Sequence, residues 1–128
     1  MKRIKLAMLG TAIIMALSAC GSKEDSASNS DAASSADAAN AKEIKLVATN
    51  FQYDQPEYHV KKGEPVKFVL ELKQGAHGAE IKELGVNLDF NKKTQVVVPN
   101  QAGTFEIRCD IPCGPGHYNM VSKLIVEE

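Results

Sequence analysis

Tryptophan is absent from this chain of 128 residues, and cysteine occurs only three times. Neither sign of charge is in excess: Lys+Arg is 15 and Asp+Glu is 16. A balance this close to zero excludes the broad field with which a nucleic-acid-binding protein gathers its partner, so no nucleic acid is expected as a partner. No internal repeat is visible, and no amphipathic helix of normal length appears. The longest apolar run, Leu6 to Leu17, is too short to span a bilayer comfortably. The hydrophobic share, 44%, fills one modest core and not two.

What is present begins at the N-terminus. Met1-Lys2-Arg3-Ile4-Lys5 is basic, the apolar run follows, and Ser18 and Ala19 are small. That order is the grammar of a secretory signal peptide. Leu17-Ser18-Ala19-Cys20 resembles a bacterial lipobox. The resemblance implies that Cys20 is lipidated and becomes the new N-terminus after cleavage. It also gives the odd cysteine of an exported chain a role of its own. Residues 1–19 are therefore expected to be a lipoprotein signal peptide. Two acyl chains on Cys20 would hold the protein stably on the cell membrane surface, facing outside the cytoplasm.

Residues 20–42 carry the lipidated Cys and then little but Ser, Ala, Asp, Asn, Gly, Lys and Glu. Nothing there fills a core, so a disordered, flexible tether is expected. From residue 43 to 128 the pattern changes to short alternating runs. Ile44, Leu46 and Ala48 share one face, as do Tyr58 and Val60, and Val66, Phe68, Leu70 and Leu72. Further runs cover 95–98, 105–109 and 121–126. Period two between Gly-, Pro- and Asn-rich breaks predicts antiparallel strands. Lys62-Gly63-Glu64-Pro65 and Pro99-Asn100-Gln101-Ala102-Gly103 are the clearest turns. Residues 83–92 fit a loop, a strand or a short helix. The fold class is all-β, a small β-sandwich.

Chemistry concentrates in the last strand connection, where Cys109, Cys113, His117 and Met120 follow one another closely. Thiolate, imidazole and thioether together favour copper, above all where Cu(I) must be held, whereas zinc rarely uses Met. Cys109 continues the inward face of Phe105 and Ile107. Gly114, Pro115 and Gly116 let the loop turn back so that His117 faces the same point. A structural disulfide between Cys109 and Cys113 is the other state open to two exported cysteines. It leaves the His and the Met at these offsets without a purpose. Met120 taken alone would more often be a core residue. His59 lies between two inward residues and is expected at the surface, and Tyr118 is expected to serve as packing or to line a docking face.

Cys109-x-x-x-Cys113-Gly-x-x-His117-x-x-Met120 resembles the binuclear copper A motif of haem-copper oxidase subunit II and of nitrous oxide reductase. The run Phe51-Gln52-Tyr53-Asp54 and the pattern Tyr58-x-Val60-x-x-Gly63 look cupredoxin-like as well. The resemblance covers roughly residues 43–128 and implies a cupredoxin-like Greek-key sandwich. It also implies that Cys109 and Cys113 bridge two copper ions. His77 and Met120 would ligate one, His117 and the backbone carbonyl of Ile111 the other. Many relatives carry Glu where Ile111 stands. A carbonyl ligand tolerates the change, but the Glu side chain also serves a neighbouring magnesium in oxidases, a contact Ile111 cannot make. The centre would be an electron carrier and not an enzyme, because no coordination position is left for substrate.

A redox partner protein is expected: a cytochrome, a terminal oxidase or another copper protein. The missing tryptophan removes the residue type through which many relatives are thought to accept electrons. Oxidase subunits carry transmembrane helices ahead of the copper domain, whereas the signal and lipid anchor expected here suit a stand-alone form. Two other readings remain at this point. One is a mononuclear blue-type copper carrier using His77, Cys113, His117 and Met120. The other is a copper-trafficking or oxidase-assembly protein that holds Cu(I) and passes it on.

Overall fold

The computed structural model describes residues 35–128. The expected signal peptide, Cys20 and most of the expected tether lie outside the described residues. Among those residues, no helix is long and apolar enough to cross a membrane. A six-residue helix, α1 (Ser35–Asn40), stands in the segment read as tether. At under two turns it is too short to be stable by itself in water.

Nine strands follow: β1 (Lys42–Thr49), β2 (Gln52–Tyr53), β3 (Glu57–Lys61), β4 (Val66–Leu72), β5 (Ala79–Ile81), β6 (Val86–Leu88), β7 (Thr94–Val97), β8 (Gly103–Arg108) and β9 (Val121–Glu127). They form two sheets, one in the order β2-β1-β4-β7 and the other β3-β9-β8-β5-β6. The alternation read from the sequence is the alternation of the sandwich. Leu46 and Ala48 of β1, Tyr58 and Val60 of β3, and Val66, Phe68 and Leu70 of β4 are all buried between the sheets. In register, Ile44 pairs with Phe68 and Leu46 with Leu70 in one sheet, and Tyr58 with Leu124 and Val60 with Val126 in the other. Each large apolar side chain so removed from water contributes about 1.5–3 kcal/mol. His59, between the two inward residues of β3, faces solvent and meets Glu127 at 3.0 Å.

Two pairings correct the expectation of antiparallel strands throughout. β1 runs parallel to β4, and β3 runs parallel to β9. The chain leaves one sheet after β2, forms β3 in the other sheet, and returns as β4, so it re-enters the first sheet in the direction in which it began. Local alternation shows which residues point inward and carries no information on strand direction. The ambiguous stretch divides among all three possibilities: a 3-10 turn at Lys82–Leu84, strand β6, and a loop in which Asp89 Oδ1 accepts from the backbone N–H groups of Asn91 and Lys92.

Two tyrosines tie the strands to the loops at one end of the sandwich. The Tyr53 hydroxyl donates to the Gly78 carbonyl at 2.7 Å, and the Tyr58 hydroxyl donates to Asp54 Oδ1 at 2.7 Å. Burial pushes both phenols well above their ordinary value, and at Tyr58 the hydrogen bond to Asp54 adds to it. The folded state therefore holds these protons more tightly than the unfolded chain. Their contribution is complete below the unfolded value of 10.0 and is lost as pH rises above it. Tyr58→Phe should flatten the alkaline fall of the urea midpoint, and a slope unchanged from wild type would contradict this assignment.

Candidate metal centre

Three connections meet at that same end: the β1–β2 corner, the β4–β5 loop, and the long β8–β9 loop. β8 delivers Cys109 to the core margin, where it is 4% exposed. The alternation of Phe105, Ile107 and Cys109 thus sets the direction of the sulfur. The loop that follows is closed at its base by the Cys109 N–H, which donates to the Met120 carbonyl at 3.2 Å. Its far side is wound into a 3-10 turn, His117–Asn119, with His117 N–H donating to Gly114 O at 3.1 Å and Asn119 N–H to Gly116 O at 3.0 Å.

These bonds bring the expected side chains together. Both cysteines are free thiols. Their Sγ atoms stand 3.6 Å apart, and Cys113 Sγ is 3.6 Å from His117 Nδ1. The Ile111 carbonyl accepts from Cys109 Sγ at 3.2 Å, and the Gly78 N–H donates to that sulfur at 3.4 Å. Ligand atoms of His77, Cys109 and Cys113 all lie within 4.8 Å of one another, a spacing suited to one shared ion or a close pair. Met120 is fully buried and lines the same small depression as Cys109 and His117. Cys20 lies outside the described residues.

His77 gives the clearest sign of a missing partner. The ring is fully buried, and its Nε2 lies 3.1 Å from Asn50 Oδ1. Its Nδ1, among the described residues, is buried and without a hydrogen-bond partner. A buried polar atom left so costs about 1–3 kcal/mol, and such an atom on a ring grouped with two thiols fits a metal ion. The donor set, soft sulfur with imidazole, fits copper. Burial pushes the Cys113 thiol up to about 11, with the hydrogen bond and charge of Cys109 acting in the same direction. At neutral pH the thiol is protonated, so a metal must displace that proton to bind.

Phe51 supports the assembly from beneath. Its ring meets His77 edge-on, with centroids 6.1 Å apart. It also lies directly under the Gly114–Gly116 arch: a Cβ on Gly116 would stand 2.3 Å from Phe51 Cγ, and one on Gly114 would stand 2.9 Å from Cε1. The sequence singled out the stretch 51–54 but not this role, because Phe51 and the arch are far apart in the sequence and the contact leaves no local signal. Tyr118 is not packing. It is 86% exposed, and its ring stands against His117 at 5.1 Å. The short turn at 117–119 leaves it no interior to enter.

Comparison with known proteins agrees with this architecture. The profile of the cupredoxin-like domain matches residues 10–126. An alternative cytochrome c oxidase subunit 2 from Bradyrhizobium diazoefficiens is 31% identical over 74 residues, 56% of this chain and 27% of the relative. The chain thus spans about a quarter of that curated relative's length. Among solved structures, the periplasmic domain of subunit II of cytochrome oxidase from Bradyrhizobium japonicum superposes with a TM-score of 0.61 at 16% identity, covering 68% of this chain and 84% of that one. A haem-copper terminal oxidase dimer matches with a TM-score of 0.59 at 23% identity, covering 67% of this chain and 65% of that one. At these identities the structural likeness is one of fold. With the profile spanning nearly all of its length, the chain belongs to the family of cupredoxin-like domains.

Proposed function

We propose that this protein is an exported, lipid-anchored electron carrier with a binuclear copper A centre. One observation carries the reading: the fully buried His77, whose Nδ1 has no hydrogen-bond partner, brings a ring nitrogen within 4.8 Å of two free thiols. Cys109 and Cys113 would hold both ions between them, with His77 and Met120 on one and His117 and the Ile111 carbonyl on the other. Two copper ions so bound supply a one-electron store shared across both sulfurs.

The chain's own residues account for the remaining requirements. Gly78 N–H steadies the Cys109 sulfur, and the Ile111 carbonyl is already turned toward it. The core end of β8 keeps water away from the Cys109 sulfur. A rigid, largely dry setting lowers the reorganisation that accompanies electron transfer. With every donor committed to the metal, the centre offers no place for a substrate to bind, which suits a carrier and not an enzyme. His117 and Tyr118 form the exposed edge of the site and are the natural point of contact for a redox partner, such as a cytochrome or terminal oxidase. Export and anchoring rest on the signal-like segment 1–19 and on Cys20.

Voltammetry of the copper-loaded protein tests the role. A reversible couple, with electron exchange to a c-type cytochrome and full retention of copper, is the expected result. Transfer of the metal to an apo-oxidase without electron exchange would replace the carrier with a copper-delivery protein.

A further inference from the structure

We propose that Asn50 is a positioning residue for this centre: its side-chain carbonyl takes the Nε2–H of His77 and thereby keeps the Nδ1 lone pair free for a metal ion. The inference rests on the copper reading for its purpose, and on the geometry of the β1–β2 corner for its content.

The Asn50 Oδ1 to His77 Nε2 distance is 3.1 Å. A neutral imidazole carries one N–H and one lone pair, so an acceptor at Nε2 places the proton there and leaves Nδ1 free to bind a metal. The opposite amide orientation would donate to Nε2 and put the proton on Nδ1, a buried atom with no acceptor in reach. That arrangement would leave a buried donor unsatisfied and block ligation at once. The orientation Oδ1 to Nε2–H is the one consistent with both burial and ligation.

A second observation concerns Gly75, which lies in the loop that presents His77. A Cβ there would stand 2.6 Å from Asn50 Oδ1 and 2.8 Å from His77 Nε2. A side chain at 75 would therefore occupy the space in which the hydrogen bond closes. Gly75 also has φ +74, a conformation that favours glycine. The residue keeps that space open and lets the loop turn.

Asn50 itself is exposed, and it covers the outer edge of a ring that is fully buried. Water could replace a lost side chain there, but water both donates and accepts. It would not choose between the two tautomers. The expected consequence of losing Asn50 is thus a mixed His77 population, with the core of the protein undisturbed.

The test uses the full chain and two variants. Long-range nitrogen–proton NMR on the metal-free protein reads the His77 tautomer, and competition with a Cu(I) chelator reads affinity. Wild type should show a single tautomer with the proton on Nε2. Asn50→Ala should show both tautomers and bind Cu(I) about tenfold more weakly, the lower end of the range for a lost outer-shell partner. Asn50→Asp, which keeps an acceptor, should restore the single tautomer and return affinity to within about threefold of wild type. A single Nε2–H tautomer in Asn50→Ala, with affinity changed by less than about twofold, would overturn the inference. So would Asn50→Asp showing the mixed tautomers of Asn50→Ala. If wild type binds no copper, the functional reading fails on that result, while the metal-free tautomer still decides the role of Asn50.

Discussion

Cys109→Ser is expected to reduce the copper complement from two ions to at most one and to abolish the visible spectrum of the wild-type centre. Cys109 sits where one sulfur is within 3.6 Å of the other, and its own environment is already arranged around a soft donor. Serine keeps the approximate volume and can still accept from Gly78 N–H and donate to the Ile111 carbonyl, so folding should survive. Its hydroxyl remains protonated at working pH and is a poor partner for Cu(I). Affinity should fall by more than about 100-fold, because loss of an outer-shell partner alone costs about 10–100-fold. Copper analysis after dialysis, with an absorption spectrum, reads the result. An unchanged spectrum with one ion bound would mean that Cys113, His77, His117 and Met120 form a mononuclear site without Cys109.

The second large effect is expected at Gly116. Its backbone, at φ −92 and ψ 5, is open to any residue, so conformation does not explain the glycine. Space does. An added Cβ would lie 2.3 Å from Phe51 Cγ and 2.5 Å from Phe51 Cβ, the stiff root of that side chain and not its movable end. Gly116→Ala should therefore lift the arch, move His117 away from Cys113, and destabilise the fold by about 1–3 kcal/mol, the usual range for overpacking. Copper affinity should fall with it. Phe51→Ala, which removes Cγ and the ring, should recover part of the loss in the Gly116→Ala background, giving a coupling of about 0.5–3 kcal/mol in a double-mutant cycle. Additive effects, measured by urea unfolding, would show that the two residues do not press on each other.

These two residues also mark how far the sequence could be read. The inward faces of β1, β3 and β4 were legible because period two is imposed locally by the pleat, and the buried set Leu46, Tyr58, Val60 and Phe68 follows from it. The β8–β9 loop was legible because its donors are close in sequence and chemically unusual. His77 could be placed only through the resemblance, since one histidine between glycines has no pattern of its own. Strand direction in the β1–β4 and β3–β9 pairs was not legible, because alternation is the same in either direction. Nor were the contacts of Asn50 and Phe51. Both meet residues far along the chain, and their side-chain types are ordinary for a strand corner. Tyr118 was read as packing or as a docking face. Its exposure decides for the surface, because the tight 117–119 turn directs it away from the core.

Two thiols and their histidines should hold two copper ions and not one. Copper per chain at saturation, measured together with the absorption and electron spin spectra, tests it most directly. Two ions per chain are expected, in a purple protein with a mixed-valence signal. One ion per chain at saturation would contradict it.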